Sequence, residues 1–214
     1  MVWGIACLGG IEDGSGVGPP LRNAYRTTGG HGQRKTEDIV ANKAEHDRFL
    51  TLFERMVSHT DAWIERTPPE KLDWVPIETS AMRFGDRVSR VTIKGLIAHT
   101  VVGEVHWSQF LRDCPDGATM PLPAYQALAD EFQKGDFRQV AHRAQAETLA
   151  AFRGYALDQL DRRVSWVGRS WTVMGFLWGI YAHRAFHLGN IDIYLRQAGV
   201  VAPEFFEFDP PQLA

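Results

Sequence analysis

A basic excess is the first thing this sequence lacks: 26 acidic residues outnumber 23 Lys and Arg, for a formal net charge of −3. No field for a polyanion follows from that balance, so nucleic acid is not the expected partner and a small molecule is. Cysteine is scarce too. Cys7 and Cys114 lie far apart in unlike surroundings, which excludes a disulfide framework and fits a reducing, cytoplasmic setting. No apolar run approaches the roughly 20 residues that span a bilayer, and Met1 to Gly10 has neither a basic n-region nor a useful h-region, so no membrane partner is expected.

What is present is aromatic mass. Seven Trp and twelve Phe in 214 residues, with 44% hydrophobic and 23% charged positions, describe one ordinary globular domain with a large core. Nine of the twenty glycines fall in residues 1–35 with Pro19 and Pro20, and no apolar period runs through them. A flexible Gly-rich tail is expected there; the alternative is that initiation lies further down the chain. Residues 36–199 make the domain, and 200–214, with Pro203, Pro210 and Pro211, a C-terminal tail.

Helical periods dominate the domain. Thr36 can cap a helix carrying Phe49, Leu52, Phe53, Met56, Val57, Trp63 and Ile64 inward, until Pro68 and Pro69 stop it. Thr92 opens a second, with Ile93, Leu96, His99, Gly103, His106 and Phe110 on one stripe. A short helix is expected over 124–134, then a third long one with Phe137, Val140, Ala141, Ala144, Thr148, Ala151 and Tyr155 inward. After a loop with a short extended piece near Val164 to Val167, the fourth carries Val173, Phe176, Ile180, His183, His187, Ile191 and Tyr194, and Gly199 ends it. The expectation is an all-α four-helix bundle with long helices at about 38–66, 92–112, 136–160 and 172–198.

Two histidines replace apolar residues in the core-facing row of the last helix. His183 and His187, four apart, project from one face and can converge on one ion. The spacing alone is weak, since eight histidines give roughly 0.3 such pairs by chance. Position adds weight, because a buried neutral imidazole needs partners for both ring nitrogens, and His99 is a third case on the second helix. Three inward imidazoles can hold a divalent metal and leave coordination sites open. Separately satisfied core histidines are the competing reading.

The segments YAHRAFHLGNIDIYLRQAG, from Tyr181 to Gly199, and IAHTVVGEVHW, from Ile97 to Trp107, resemble the last and second helices of the DinB-like family of metalloenzymes. In helix order and length the resemblance runs over most of residues 38–199; its specific letters are confined to those two segments. It implies a DinB-like four-helix bundle whose metal triad falls on His99, His183 and His187. It also implies zinc or nickel as the ion, thiol-dependent transfer or isomerisation with a low-molecular-weight thiol, and frequent homodimers. Where many relatives have Arg-Gly-Gln after the last histidine, this chain has Leu188, Gly189 and Asn190, so a substrate contact made by that arginine or glutamine does not carry over from the resemblance. Metal-dependent hydrolysis and a non-catalytic metal-binding stress-response bundle are the alternatives.

Other residues have blander readings. His106 is about 10.5 Å along the helix from His99, too far for the same ion. His142 is expected at the surface or in packing, and His46 and His59 as ordinary helix residues. Glu104 is turned about 140° from His99, which suits a solvated or interface carboxylate better than a ligand, with orienting a ligand or acting as a base as the other options. Tyr194 packs or contacts substrate. Arg83, Arg87, Arg90 and Arg184 are either solvated or attract an anionic thiol. Cys114 has no histidine placed to activate it. Gly103, Ala98, Ala182, Ala185 and Gly189 either let helices approach or leave room for a ligand.

Overall fold

The computed structural model describes residues 31–76, 91–123 and 126–204, with side chains from residue 42 onward. Its elements run α1 (His31–Arg66), α2 (Ile93–Asp113), β1 (Ala118–Thr119), α3 (Gln126–Lys134), α4 (Phe137–Arg153), β2 (Arg163–Trp166), β3 (Arg169–Thr172) and α5 (Val173–Gln197). Short 3-10 turns lie at Pro69–Lys71 and Leu157–Gln159.

Local chemistry sets most of these bounds. The Thr92 hydroxyl accepts from the Gly95 N–H at 2.8 Å to open α2, and Thr172 does the same for Gly175 at 2.9 Å to open α5. Asp136 caps α4 through the N–H groups of Arg138 and Gln139. At the far end of α5, Gly199 takes φ 77° and the Val200 N–H returns to the Leu195 carbonyl, a turn that favours glycine.

The expected all-α fold needs a correction: the chain is mostly helical but carries a three-stranded sheet in the order β1-β2-β3. β2 and β3 pair antiparallel, Arg163 opposite Thr172 and Trp166 opposite Arg169, and β1 pairs parallel to β2. Val167 and Gly168, with φ 48° and 71°, supply the two-residue turn whose twist matches the hairpin. A β-branched residue at positive φ is a poor turn signal, so the sequence hid the second strand. The third long helix, expected to 160, ends at Arg153, where the Gly154 N–H bonds back to Ala150 and Ala151. The first helix starts before Thr36, which therefore lies within it and is not its cap. The expected tails lie largely outside the described residues, as do Arg83, Arg87 and Arg90.

Helix α2 packs on α4 and α5, and α1 packs on the same two. One core fills the space between the last part of α1, α2, α3, α4 and the second half of α5, with Ile64, Leu96, Val101, Phe132, Ala141 and Leu195 buried. The other joins α1, the ends of α2 and α4, the first half of α5 and the hairpin through Phe49, Phe53, Trp107, Phe152 and Phe176. Because β3 ends on the residue that caps α5, the hairpin delivers the chain directly into the helix that carries two of the three histidines of interest. Among the described residues no helix is long and apolar enough to cross a membrane.

Candidate metal centre

His99, His183 and His187 meet. Each offers one ring nitrogen, and the three nitrogens lie within 4.8 Å of one another. Ring centroids are 5.3 Å apart for His99 and His183, 4.7 Å for His99 and His187, and 4.4 Å for His183 and His187. The Nε2 atoms of His183 and His187 are 3.0 Å apart. Either one of them carries a hydrogen and donates to the other, or both aim lone pairs at a common point, which a cation or a shared hydrogen-bond donor makes favourable. Tetrahedral nitrogen ligands at about 2.0 Å from an ion stand roughly 3.3 Å from each other, close to the separation of that pair.

Electrostatics keep the site in ligand form. Burial lowers the pKa of all three; His183, pressed also by His187, His99 and Arg184, falls to about 2, and His187, with His99 beside it, to about 4. Near neutral pH all three are uncharged donors, as a transition metal requires. The Nδ1 atoms of His183 and His187 are buried without a hydrogen-bond partner. Metal-ligating histidines usually have that second nitrogen tied to a carboxylate or carbonyl, so here no hydrogen bond at Nδ1 helps packing to orient the two rings.

Trp107 supplies part of that packing. It lies eight residues past His99 on α2, and its ring stands edge-on to His183 at 5.0 Å. Gly103 makes this possible, since a Cβ there would sit 3.3 Å from the Trp107 ring. The small residue thus makes room for an aromatic wall. Phe186 stands edge-on to His187, 5.3 Å between ring centroids, and is 64% exposed. Ala98 is buried, whereas Ala182, Ala185 and Gly189 are exposed, so the five small residues do not form one group.

Of the readings open for Glu104 and Arg184, the solvated ones fail: both residues are fully buried and paired with each other across α2 and α5, which makes Glu104 an interface carboxylate. The Arg184 Nε donates to Glu104 Oε1 at 2.9 Å, one terminal nitrogen donates to Glu104 Oε2, and the other to Thr60 Oγ1 at 2.7 Å and Gln145 Oε1 at 2.8 Å. Gln145 in turn donates to Asp61 at 2.7 Å, which also meets His142 Nδ1 at 2.9 Å. The Phe53 ring lies 5.0 Å from the guanidinium carbon. Burial pushes the Glu104 carboxyl up and Arg184 pulls it back. The roughly 140° between His99 and Glu104 is a local property of α2, whereas the partner of Glu104 lies 80 positions away in the chain.

The remaining residues stand apart from the triad. His106 donates to the Pro121 carbonyl at 3.2 Å and His46 to the Phe152 carbonyl at 3.0 Å. His142 bridges Asp61 and Glu65 at the surface. Tyr194 is core, edge-on to Trp74. Cys114 is buried, its thiol directed at the Leu111 carbonyl and raised in pKa by burial, which does not suit a nucleophile.

A helical domain whose second and last long helices bring three neutral imidazoles together defines a class of candidate metal-binding proteins. Comparison with known families makes the assignment: the model described as the DinB family matches residues 40–211, and the chain belongs to that family. Among solved structures, a DinB-like protein from Bacillus subtilis, determined at 2.30 Å, aligns with a TM-score of 0.55 at 19% identity. The alignment covers 74% of this chain and 96% of that one; at such identity the likeness concerns the fold. Comparison with curated proteins gives no match.

Proposed function

We propose that the four long helices form a DinB-like bundle in which His99, His183 and His187 hold a divalent transition metal, zinc or nickel, and that the protein is an enzyme acting on a small molecule. The observation that carries this reading is the convergence of three uncharged imidazole nitrogens within 4.8 Å, drawn from two helices. Bound there, the ion supplies Lewis acidity that lowers the pKa of a thiol or water held beside it. Three neutral donors leave a divalent charge uncompensated, and Glu104, the carboxylate nearest in sequence to His99, is already taken by Arg184. The seat therefore favours an anionic partner, thiolate or hydroxide alike; thiol S-transfer or isomerisation is placed ahead of hydrolysis by the family resemblance. The buried Trp107 ring borders the site at His183, and the exposed Phe186 ring offers an apolar contact beside His187.

Because the triad joins α2 to α5, a shared ion would also tie the two helices together, and that favours a non-catalytic metal-binding protein as the second reading. Elemental analysis of untagged protein tests the site: we expect about one ion per chain in the wild type and a severe loss in His99→Ala, His183→Ala and His187→Ala. Undiminished stoichiometry in all three refutes it. Metal-loaded protein assayed with low-molecular-weight thiols against a panel of electrophiles separates the two readings, since turnover is expected only of the enzyme.

A further inference from the structure

We propose that the buried Arg184–Glu104 pair is a positioning device, which fixes the rotational phase of α5 against α2 and so aims His183 and His187 at His99. The proposal rests on the triad being a metal site. Three observations lead to it. The first is that apolar burial alone does not choose the phase of α5. Leu177, Ile180, Leu188 and Ile191 are buried, yet Phe186 is 64% and Ile193 54% exposed on the same helix. Turning α5 by one residue, about 100°, would exchange apolar for apolar at many positions and still swing both imidazoles away from His99.

The second is that the ligands have no tether of their own. With the Nδ1 atoms of His183 and His187 unpartnered, no hydrogen bond holds either ring from behind, and their aim depends on how α5 is docked. Arg184 is the residue after His183. Its three nitrogens reach Glu104 on α2, Thr60 on α1 and Gln145 on α4, so one side chain ties α5 to the other three long helices. The fork and the carboxylate meet in only one phase, because the guanidinium is planar and its donors are fixed in direction.

The third is energetic. A buried ion pair gains little net stability over an apolar pair of the same volume, because desolvation offsets the attraction, and its best-attested use is to specify register. Here the register it specifies is the one that closes the triad. Arg184 stands about 100° from His183 around α5, and Glu104 about 140° from His99 around α2, so the pair and the triad are two separate points of contact between the same helices. Satisfying the first leaves the second no rotational freedom.

The double substitution Glu104→Leu with Arg184→Met tests the proposal. It is expected to fold with wild-type helix content and an equal or higher denaturation midpoint, while zinc affinity falls about 10–100-fold and the ligand-field absorption of the cobalt-loaded protein changes. In metal-free protein, the nuclear Overhauser contact between the Trp107 and His183 rings is expected to weaken. A double variant with wild-type zinc affinity, cobalt spectrum and ring contact overturns the proposal. Should it fail to fold, Glu104→Gln, which keeps the shape and one acceptor, takes its place: weaker zinc affinity with an altered cobalt spectrum supports the proposal, and unchanged values overturn it. A wild type that takes up neither zinc nor cobalt sinks the metal reading instead, and the ring contact, read without metal, then decides the positioning role alone.

Discussion

Residues 183 and 184 are neighbours on α5, yet one belongs to a region left open and the other to a region fully closed. Arg184 is buried with four donated hydrogen bonds spread over Glu104, Thr60 and Gln145. His183, with His187 one turn on, keeps a buried Nδ1 unpartnered, and the two Nε2 atoms face each other at 3.0 Å. Both regions bury polar groups, and only the first satisfies them from within the protein. The contrast teaches that burial of polar atoms has two meanings in one helix: around Arg184 it serves the fold, and around the histidines it costs the fold something that a ligand can return.

The largest test of that contrast is Glu104→Ala. It strands the Arg184 charge inside the core, and we expect a loss of about 3–5 kcal/mol in urea denaturation. A loss below about 1 kcal/mol would mean that water reaches the guanidinium and that the closed region is not closed. His187→Leu should act in the opposite direction when metal is absent, because it removes a buried imidazole with an unpartnered nitrogen. We expect unchanged or higher stability of the metal-free protein, by up to about 1 kcal/mol. Added zinc, which should raise the melting temperature of the wild type, should leave this variant where it was. A His187→Leu protein that is strongly destabilised without metal would place His187 with Arg184 as a structural residue.

Acid sharpens the comparison further. His183 and His187 titrate near 2 and 4 in the folded protein against 6.5 when unfolded, so the unfolded chain binds more protons throughout that interval. Stability is therefore intact above 6.5 and falls as pH drops toward 4, and further below it as His183 remains uncharged. Denaturation midpoints of metal-free protein between pH 7 and 4 should show this slope in the wild type and a shallower one in a His183→Leu, His187→Leu double variant. Equal slopes would remove the triad as the source.

How much of this was legible in the sequence follows from the range of each interaction. Caps are local, and Thr92 and Gly199 mark their helix ends in the sequence as they do in the structure, whereas Thr36 lies inside a helix that begins before it. The triad was legible as far as each helix goes: an i, i+4 pair on an inward stripe and a lone histidine on another. That the two stripes face each other needed the family resemblance as well as the periods. What stayed hidden was long-range or locally irregular. The β2–β3 hairpin turns on Val167, a residue that does not advertise a turn, and the Arg184–Glu104 pair joins two charged letters whose burial no helical period implies, since charged residues are seldom fully buried. Trp107 belongs to the resembling segment, but its place over Gly103 depends on the side chain leaning back toward the start of α2.

The smallest effect belongs to His142, at the outer end of the closed region. Burial lowers its pKa, but hydrogen bonds and charge from Glu65 and Asp61 outweigh that and hold it above its ordinary value. The sign is therefore opposite to that of the triad: its contribution is complete below 6.5 and disappears as pH rises through the elevated value. With its side chain 39% exposed, solvent screens the interaction, and His142→Ala should cost less than about 1 kcal/mol. Comparing wild type and variant at mildly acidic and at alkaline pH should show the difference in the first and none in the second. A difference that persists at alkaline pH would mean that neutral His142 is held through Asp61 and Gln145 as part of the Arg184 network; its loss there confines that network to the buried residues.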